Sequence, residues 1–283
     1  MIDHLHRRML FRSPLLTVAD VRCRPHCADC GAEEEAPGYQ IVFPRRGAFL
    51  KRRTTKDAIL ADPTLLLFFN RNETFRVAHP VAGGDDCTVI TFEDNALATF
   101  LREQDAVVAG SPLFATSFAP TSSAMMLGLH ALRRELRGSA TPSQLAIEEA
   151  SVQLLAKASA YAPTQAPPQG KRTRPETHKA NRDLVQRARV FLAANLRERM
   201  TLDAIARAVF SSPFHLARVF RQETGRSLHA QLTQLRLRYA LDQIADGARD
   251  LTALALELGF SSHSHFTHAF RREFGRTPSE LRG

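Results

Sequence analysis

The sequence contains no apolar run of the roughly 18 to 20 residues that a membrane span requires. The apolar stretch Leu65–Phe69 is far shorter and is typical of a buried strand. The first residues carry Arg7, Arg8 and Arg12 but no uninterrupted apolar stretch or cleavage pattern, so we expect no secretory signal, a cytoplasmic location and no membrane contact. Only four cysteines occur in 283 residues, and in a reducing compartment they do not form a disulfide framework.

Catalytic patterns are absent as well. The chain has no Gly-rich phosphate loop and no nucleophile and base at a spacing typical of catalysis. We therefore expect that the protein is not an enzyme, and that it needs no cofactor unless its cysteines bind zinc.

Lysine is scarce in the C-terminal part of the chain. Residues 171–283 contain 20 Lys+Arg, of which only Lys171 and Lys179 are lysines, and 11 Asp+Glu. Residues 1–170 contain 18 of each sign, so the formal net charge of +9 comes from the C-terminal part. Guanidinium groups donate hydrogen bonds in a planar fork that suits phosphate and guanine. The charge pattern predicts a neutral sensing or assembly domain joined to a nucleic-acid-binding domain.

Residues 39–92 contain short strand patterns separated by turn signals. The segments YQIVF, AFLKRR, LLLFF, TFRVA and TVITF are rich in β-branched and aromatic residues and predict an antiparallel sheet or small barrel. Two helices are predicted to follow, and the first carries an apolar stripe of Met125, Leu129, Leu132 and Leu136. This stripe either packs on the barrel or forms a dimer seam.

A proline-rich segment at residues 162–180 divides the chain. It contains four prolines, no large aliphatic residue and a short basic run, and it lies where the charge balance changes. We therefore predict an N-terminal domain at residues 1–161, a linker at residues 162–180 and a helical C-terminal domain at residues 181–283.

Capping residues mark the helices of the C-terminal domain. Thr201 and Ser212 are N-cap candidates, Pro213 suits a first helical position, and Gly225 ends a helix. The next segment, residues 228–247, has two apolar stripes about 200° apart, which predicts a helix buried between two bodies.

A duplication is the strongest signal in the sequence. Residues 209–228 align with residues 259–278 at nine identical positions of 20, where chance gives about one. Each copy has a short Ala-rich helix, a tight turn and a longer helix closed by Gly-Arg. This is a helix-turn-helix arrangement, whose second helix enters the DNA major groove. We place the units at about residues 201–225 and 250–275.

The apolar positions of each second helix define an outward face opposite to them. The outward residues are Phe214, His215, Arg218, Arg221 and Gln222 in the first unit and Ser264, His265, Thr267, His268, Arg271 and Arg272 in the second. We expect Arg218 to read guanine and Phe214 to contact a thymine methyl group. Arg221, Arg271 and Arg272 lie nearer the helix ends and are expected to contact phosphates. The alternative is that Phe214 and the histidines only pack and hydrate the surface.

Residues 181–282 resemble the DNA-binding domain of the AraC/XylS family of bacterial transcription regulators. The matching pieces are SPFHLARVFRQETGRSL, the RLxxA pattern of Arg236, Leu237 and Ala240, and LGFSSHSHFTHAFRREFGRTPSELR. The resemblance implies two helix-turn-helix units bridged by a long helix, with both recognition helices in successive major grooves. It assigns base reading to Phe214, Ala217, Arg218, Ser264, Thr267 and His268. The family usually has Arg where His268 stands, and Phe210 replaces the turn glycine that the second unit has at Gly259.

The N-terminal half is similar to the family's cupin-type effector domain. The resemblance implies an α+β chain, with a cupin-like β-barrel and helices before an all-α domain. It also implies an unknown small-molecule effector, a homodimer formed by the N-terminal half, and double-stranded DNA and RNA polymerase as further partners. A cupin metal site needs a clustered His-x-His with a carboxylate, whereas His79 stands alone in this segment.

Three cysteines lie close together near the N-terminus. Cys23, Cys27 and Cys30 provide three of the four tetrahedral ligands of zinc, with Cys87 or a histidine as the fourth, or they form a redox switch. The alternative is unligated thiols in a loop, which the following AEEEAP segment favours. The leading prediction is a sequence-specific transcription regulator controlled by an effector. The second is a thiol- or metal-responsive sensor, which includes a methyl-accepting cysteine as in Ada-type repair proteins.

Overall fold

A computed structural model describes residues 5–25, 31–53, 58–103, 113–138, 142–160 and 175–282. The chain forms two compact units, residues 1–164 and 165–283, and each has its own hydrophobic core. None of the helices in the described ranges combines the length and the apolar character needed to cross a bilayer.

Strands dominate the described part of the N-terminal unit. They are β1 (Leu5–Arg12), β2 (Leu16–Cys23), β3 (Glu33–Glu35), β4 (Tyr39–Gly47), β5 (Phe49–Arg52), β6 (Ala58–Ala61), β7 (Leu65–Phe69), β8 (Thr74–Ala78), β9 (Asp85–Phe92) and β10 (Phe118–Pro120). The helices are α1 (Asp94–Glu103), α2 (Ser123–Arg137) and α3 (Gln144–Ala160). The strand-rich segments predicted from the sequence coincide with β4, β5, β7, β8 and β9. The strands β1, β2, β3, β6 and β10 were not predicted from the sequence. Of these, β1 lies exposed at a sheet edge and is rich in arginine, which masks a strand pattern.

The strands form two antiparallel sheets rather than a closed barrel. One sheet has the order β1-β2-β9-β4-β7-β10 and the other has the order β3-β8-β5-β6. The predicted α+β class is confirmed. Among the described strands, however, neither sheet closes on itself, so the strands form an open pair of sheets instead of the predicted barrel. Burial alternates along a strand in both a sandwich and a barrel, and closure depends on which edge strands pair. The sequence pattern does not record that pairing.

The central strands are buried on both faces. On β9, Ile90 joins the core beneath α2 and α3, whereas Cys87 and Val89 join the core between the two sheets. On β4, Ile41 lies in the core beneath the helices and Val42 lies in the core between the two sheets. Two buried faces explain the continuous apolar sequences of these strands.

The apolar stripe of α2 is covered by the chain itself. Met125, Leu129 and Leu132 are buried in the core against the sheet, and Leu136 packs beside them. Ser122 caps the helix by accepting a hydrogen bond from the Met125 amide at 3.2 Å. Of the two alternatives for this stripe, the structure supports packing on the sheet.

The C-terminal unit is helical throughout its described part. Its helices are α4 (Pro175–Ala194), α5 (Leu202–Ala208), α6 (Pro213–Thr224), α7 (Leu228–Ala245), α8 (Leu251–Glu257), α9 (His263–Phe274) and α10 (Pro278–Leu281). The predicted caps are confirmed. Thr201 and Ser212 accept hydrogen bonds from the amides of the first turn, and Gly225 ends α6 with φ of 71°.

Helix α4 begins inside the segment that the sequence assigned to the linker. Residues 175–180 are helical, whereas residues 162–174 lie outside the described residues. Proline at a first helical position leaves no hydrogen bond broken. Leu184, Ala188 and Leu192 bury one face of the same helix, and this packing supports its earlier turns.

Helix α7 lies between the two helix-turn-helix units, which are α5 with α6 and α8 with α9. Leu232 and Leu235 join the core of the first unit. On the other side of the helix, Leu237, Leu241 and Ile244 are also buried. Both predicted apolar stripes are therefore confirmed as buried.

Candidate nucleic-acid interface

The first recognition helix, α6, places the predicted DNA-reading residues on its exposed face. Leu216, Val219 and Phe220 are fully buried, which fixes the rotation of the helix about its axis. The residues exposed on the other side are Phe214, His215, Arg218, Arg221 and Gln222. Ala217 is half-buried at the edge of this face.

Arg218 is oriented by its neighbours on the same helix. One guanidinium nitrogen donates to Gln222 Oε1 at 3.4 Å, and the other lies 3.3 Å from His215 Nδ1. A guanidinium group has no acceptor, so His215 Nδ1 must accept this bond. These contacts reduce the number of conformations that Arg218 must lose when it binds a base.

The second recognition helix, α9, is anchored by a row of phenylalanines. The ring centroids of Phe266 and Phe270 are 5.6 Å apart, and those of Phe270 and Phe274 are 4.6 Å apart. The residues on the exposed face are Ser264, His265, His268, Arg271 and Arg272. Each helix therefore has a buried apolar side and exposed arginines on the opposite side.

Two residues of the predicted outward face of α9, His265 and Thr267, are not simply exposed to solvent. His265 Nδ1 lies 3.1 Å from Ser261 Oγ, and its ring stands 5.5 Å from that of Phe260. Thr267 is half-buried, and its hydroxyl oxygen is buried without a hydrogen-bond partner among the described residues. For Thr267 to donate to a base, its side chain must first rotate.

The two units differ in the turn before the recognition helix. Phe210 has φ of 57° and Gly259 has φ of 72°, so a phenylalanine holds the left-handed position that a glycine holds in the second unit. The Ser211 amide bonds to the Ala206 carbonyl at 2.9 Å, and the Phe260 amide bonds to the Ala255 carbonyl at 3.0 Å. The two turns thus start alike, but the Phe210 ring is 92% exposed.

We expect Phe210→Gly to raise the free energy of unfolding by up to about 1 kcal/mol. A left-handed conformation costs an L-residue about 1 to 2 kcal/mol, and glycine returns roughly 0.5 to 1 kcal/mol of this as lost chain entropy. Urea unfolding followed by circular dichroism measures the change, since the chain has no tryptophan.

Gly259→Ala is the matched control and should destabilise the domain. Its new Cβ atom would lie 2.6 Å from Arg236 Nη2 and 3.1 Å from the Arg197 carbonyl oxygen. If Phe210→Gly destabilises the protein as much as Gly259→Ala does, the backbone at Phe210 is not strained.

Arg236 of α7 links the segment after α4 to the second helix-turn-helix unit through backbone carbonyls. Its Nε donates to the Leu196 carbonyl at 2.7 Å and Nη2 donates to the Glu198 carbonyl at 2.6 Å, both after α4. Its Nη1 donates to the Gly259 carbonyl in the turn of the second unit at 3.1 Å. Burial lowers the pKa of Arg236. The RLxxA pattern marked this residue, but sequence reasoning assigned it no contact.

Arg197 makes a second link across the same region. Its guanidinium donates to the Tyr239 hydroxyl at 2.6 Å and forms a 2.9 Å ion pair with Glu257 of α8. The end of α4, the bridging helix α7 and the second unit are therefore joined by two arginines.

Two of the four cysteines considered as metal candidates lie among the described residues. Cys23 is the last residue of β2 rather than part of a loop, and Cys87 is buried on β9. Cys27 and Cys30 lie outside the described residues. Both described cysteines are free thiols.

Comparisons with known proteins concentrate on the helical domain. Residues 205–283 match a family described as a helix-turn-helix domain. The chain is 38% identical to the HTH-type transcriptional regulator GlxA of Rhizobium meliloti (strain 1021) over 79 residues, which are 28% of this chain and 24% of that protein. This match spans about a quarter of the length of GlxA.

A second relative extends over both units. The virulence regulon transcriptional activator VirF of Yersinia enterocolitica is 27% identical over 242 residues, which are 86% of this chain and 79% of that protein. Among solved structures, a transcriptional regulator with an AraC-type DNA-binding domain from Chromobacterium violaceum is 30% identical. The match covers 36% of this chain and 92% of the chain in that structure, with a TM-score of 0.35.

Proposed function

Because residues 205–283 form an AraC-type helix-turn-helix domain, we propose that the protein is a sequence-specific DNA-binding transcription regulator. One observation carries the proposal. The duplicated units present two recognition helices, α6 and α9, each with a buried apolar seam and exposed arginines on the opposite face. Such faces suit phosphate and base-edge contacts in a major groove.

The base-reading and phosphate-binding roles are divided along each helix. We propose that Phe214 and Arg218 near the start and middle of α6 contact base edges, because their side chains project beyond the buried seam. Arg221 of α6 and Arg271 and Arg272 of α9 lie in or near the last turns, where they suit phosphates beside the groove. His268 replaces a guanidinium donor in the second unit, so we propose that α6 supplies most of the guanine discrimination.

We expect one chain to protect an asymmetric site of about 20 base pairs. Two recognition helices in successive major grooves are separated by one helical turn of about 10.5 base pairs. Selection of bound sequences from a random library, followed by hydroxyl-radical footprinting, measures the site. Protection of a single groove would show that only one unit docks.

We also propose that an effector bound to the N-terminal unit controls the activity. This unit contains an open cavity of about 870 Å³. Its lining includes the apolar side chains of Leu16, Phe92 and Leu155. It also includes the charged residues Arg71, Glu93 and Asp94, of which Arg71 and Asp94 form an ion pair. The mixture suits a small molecule with an apolar body and a polar end. We further propose that the N-terminal half supports a homodimer and that the bound protein contacts RNA polymerase.

The family similarity favours this function over a sensor built on Cys23, Cys27 and Cys30. The relatives are named as transcription regulators, and the proposal assigns no catalytic step to the chain.

A further inference from the structure

Three donor groups of different chemistry meet at one end of the N-terminal unit. Cys23 ends β2 and Asp85 begins β9, and the two residues lie directly opposite each other in the antiparallel pairing. His79 follows β8. One ligand atom from each side chain, a thiol sulfur, an imidazole nitrogen and a carboxylate oxygen, lies within 4.8 Å of the other two. The sheet thus brings Cys23 close to His79 and Asp85, which lie 56 and 62 positions further along the chain.

The contacts within this cluster orient the carboxylate. His79 Nε2 lies 2.8 Å from Asp85 Oδ1, and Cys87 Sγ donates to Asp85 Oδ2 at 3.0 Å. The side chains of His79 and Asp85 are 8% and 6% exposed, whereas Cys23 is half-buried. The cluster is therefore closed on the His79 and Asp85 side and opens toward solvent near Cys23.

The backbone around the cluster is held in place by other residues. Arg24 donates from Nη1 to the carbonyl oxygens of both Cys23 and Asp85 at 2.9 Å. Gly84 has φ of 70°, and a Cβ atom there would lie 1.9 Å from the Cys23 carbonyl oxygen. A side chain at position 84 would push β2 away, so glycine permits the close approach of Cys23 to Asp85.

We propose that Cys23, His79 and Asp85 bind a divalent cation of the zinc type. A thiolate, an imidazole and a carboxylate are the donors that zinc takes in proteins, whereas magnesium and calcium prefer oxygen alone. Three protein ligands leave the fourth position of a tetrahedral zinc site to water or another ligand. Cys87 orients Asp85 as an outer hydrogen-bond donor. This ligand set differs from the Cys23, Cys27 and Cys30 cluster expected from the sequence, and it does not depend on DNA binding.

The test measures metal binding to the purified full-length chain. Zinc is added to chelator-treated protein and its stoichiometry is measured by elemental analysis, and its affinity by competition with a chromophoric chelator. Cobalt(II) then replaces zinc as a spectroscopic probe. We expect one metal ion per chain and a thiolate-to-cobalt charge-transfer band.

Cys23→Ser and Cys87→Ser form the matched pair of variants. Cys23→Ser should abolish the charge-transfer band and weaken zinc binding by more than the roughly 10- to 100-fold typical of an outer-shell change. Cys87→Ser keeps a donor to Asp85 and should retain the band, with at most about a 10-fold loss of affinity. His79→Gln should lower the affinity as Cys23→Ser does, and circular dichroism verifies that each variant is folded.

Three results would overturn the proposal. The first is an unmodified chain that binds neither zinc nor cobalt, which would leave the cluster as a buried, hydrogen-bonded His79–Asp85 pair beside a free thiol. The second is a charge-transfer band that survives Cys23→Ser in a folded protein. The third is loss of the band in Cys27→Ser/Cys30→Ser, because that would assign the metal to the other cysteines.

Discussion

Replacing Arg236 with alanine is expected to lower the free energy of unfolding of the C-terminal domain by about 2 to 4 kcal/mol. The guanidinium donates to the backbone carbonyls of Leu196, Glu198 and Gly259. A hydrogen bond from a charged group contributes up to about 1.5 to 3 kcal/mol. Two of these three bonds are part-buried and the third is exposed, so water replaces much of each bond and the expected loss stays below the sum of three buried bonds. Urea unfolding followed by circular dichroism measures the loss, with the transition of the C-terminal unit analysed separately.

Arg236→Lys tests the geometry of the same contacts. The ammonium group of lysine is a compact charge without the planar set of donors of a guanidinium. It cannot reach the carbonyls of Leu196, Glu198 and Gly259 at the same time. We therefore expect Arg236→Lys to recover only part of the stability. Arg272→Ala removes an exposed guanidinium and should change the stability by less than about 0.5 kcal/mol. If Arg236→Ala is as mild as Arg272→Ala, the carbonyl contacts do not stabilise the domain.

Arg236→Ala should also impair the simultaneous binding of both helix-turn-helix units to DNA. Arg236 joins the segment after α4 to the turn before α9. Helix α4 packs in one core with α5 and α6, so the loss of Arg236 loosens the second helix-turn-helix unit relative to the first. At a temperature where the variant remains folded, we expect the footprint to contract toward one groove. An unchanged two-groove footprint would show that the apolar stripes of α7 suffice to position the units.

Arg218→Ala is expected to remove about 1 to 3 kcal/mol of discrimination at a single base pair. Arg218 is exposed in the middle of α6 and is oriented by Gln222 and His215. A bidentate arginine contact to guanine O6 and N7 is the commonest specific contact in the major groove. Measuring affinities for the selected site and its single-base variants identifies the position that loses its preference.

Arg271→Ala is the matched control for this experiment. Arg271 is exposed in the last turn of α9, where a phosphate contact is expected. Its removal should weaken binding to all sequences about equally and reduce the slope of log affinity against log salt by about one. An unchanged specificity profile in Arg218→Ala would contradict base reading by Arg218. An altered specificity profile in Arg271→Ala would contradict a phosphate contact by Arg271.

The recognition faces were predictable because they depend on local rules. Leu216, Val219 and Phe220 recur at helical spacing, and Ser212 and Gly225 mark the ends of α6 through hydrogen bonds within a few residues. The duplication repeated the same rules in α9, so the outward residues followed from the inward ones. The sequence does not reveal that Thr267 hides its hydroxyl or that His265 contacts Ser261, because both depend on side-chain rotamers.

The sequence alone determined the strand-rich N-terminal half, the duplicated helical units, the bridging helix and the exposed arginines. These follow from periodicity, capping chemistry and charge, which act over a few residues. Tertiary structure decided the open pair of sheets, the contacts of Arg236 and the meeting of Cys23 with His79 and Asp85. Strand register and edge pairing bring together residues far apart in the chain, and no local pattern encodes which strands become neighbours.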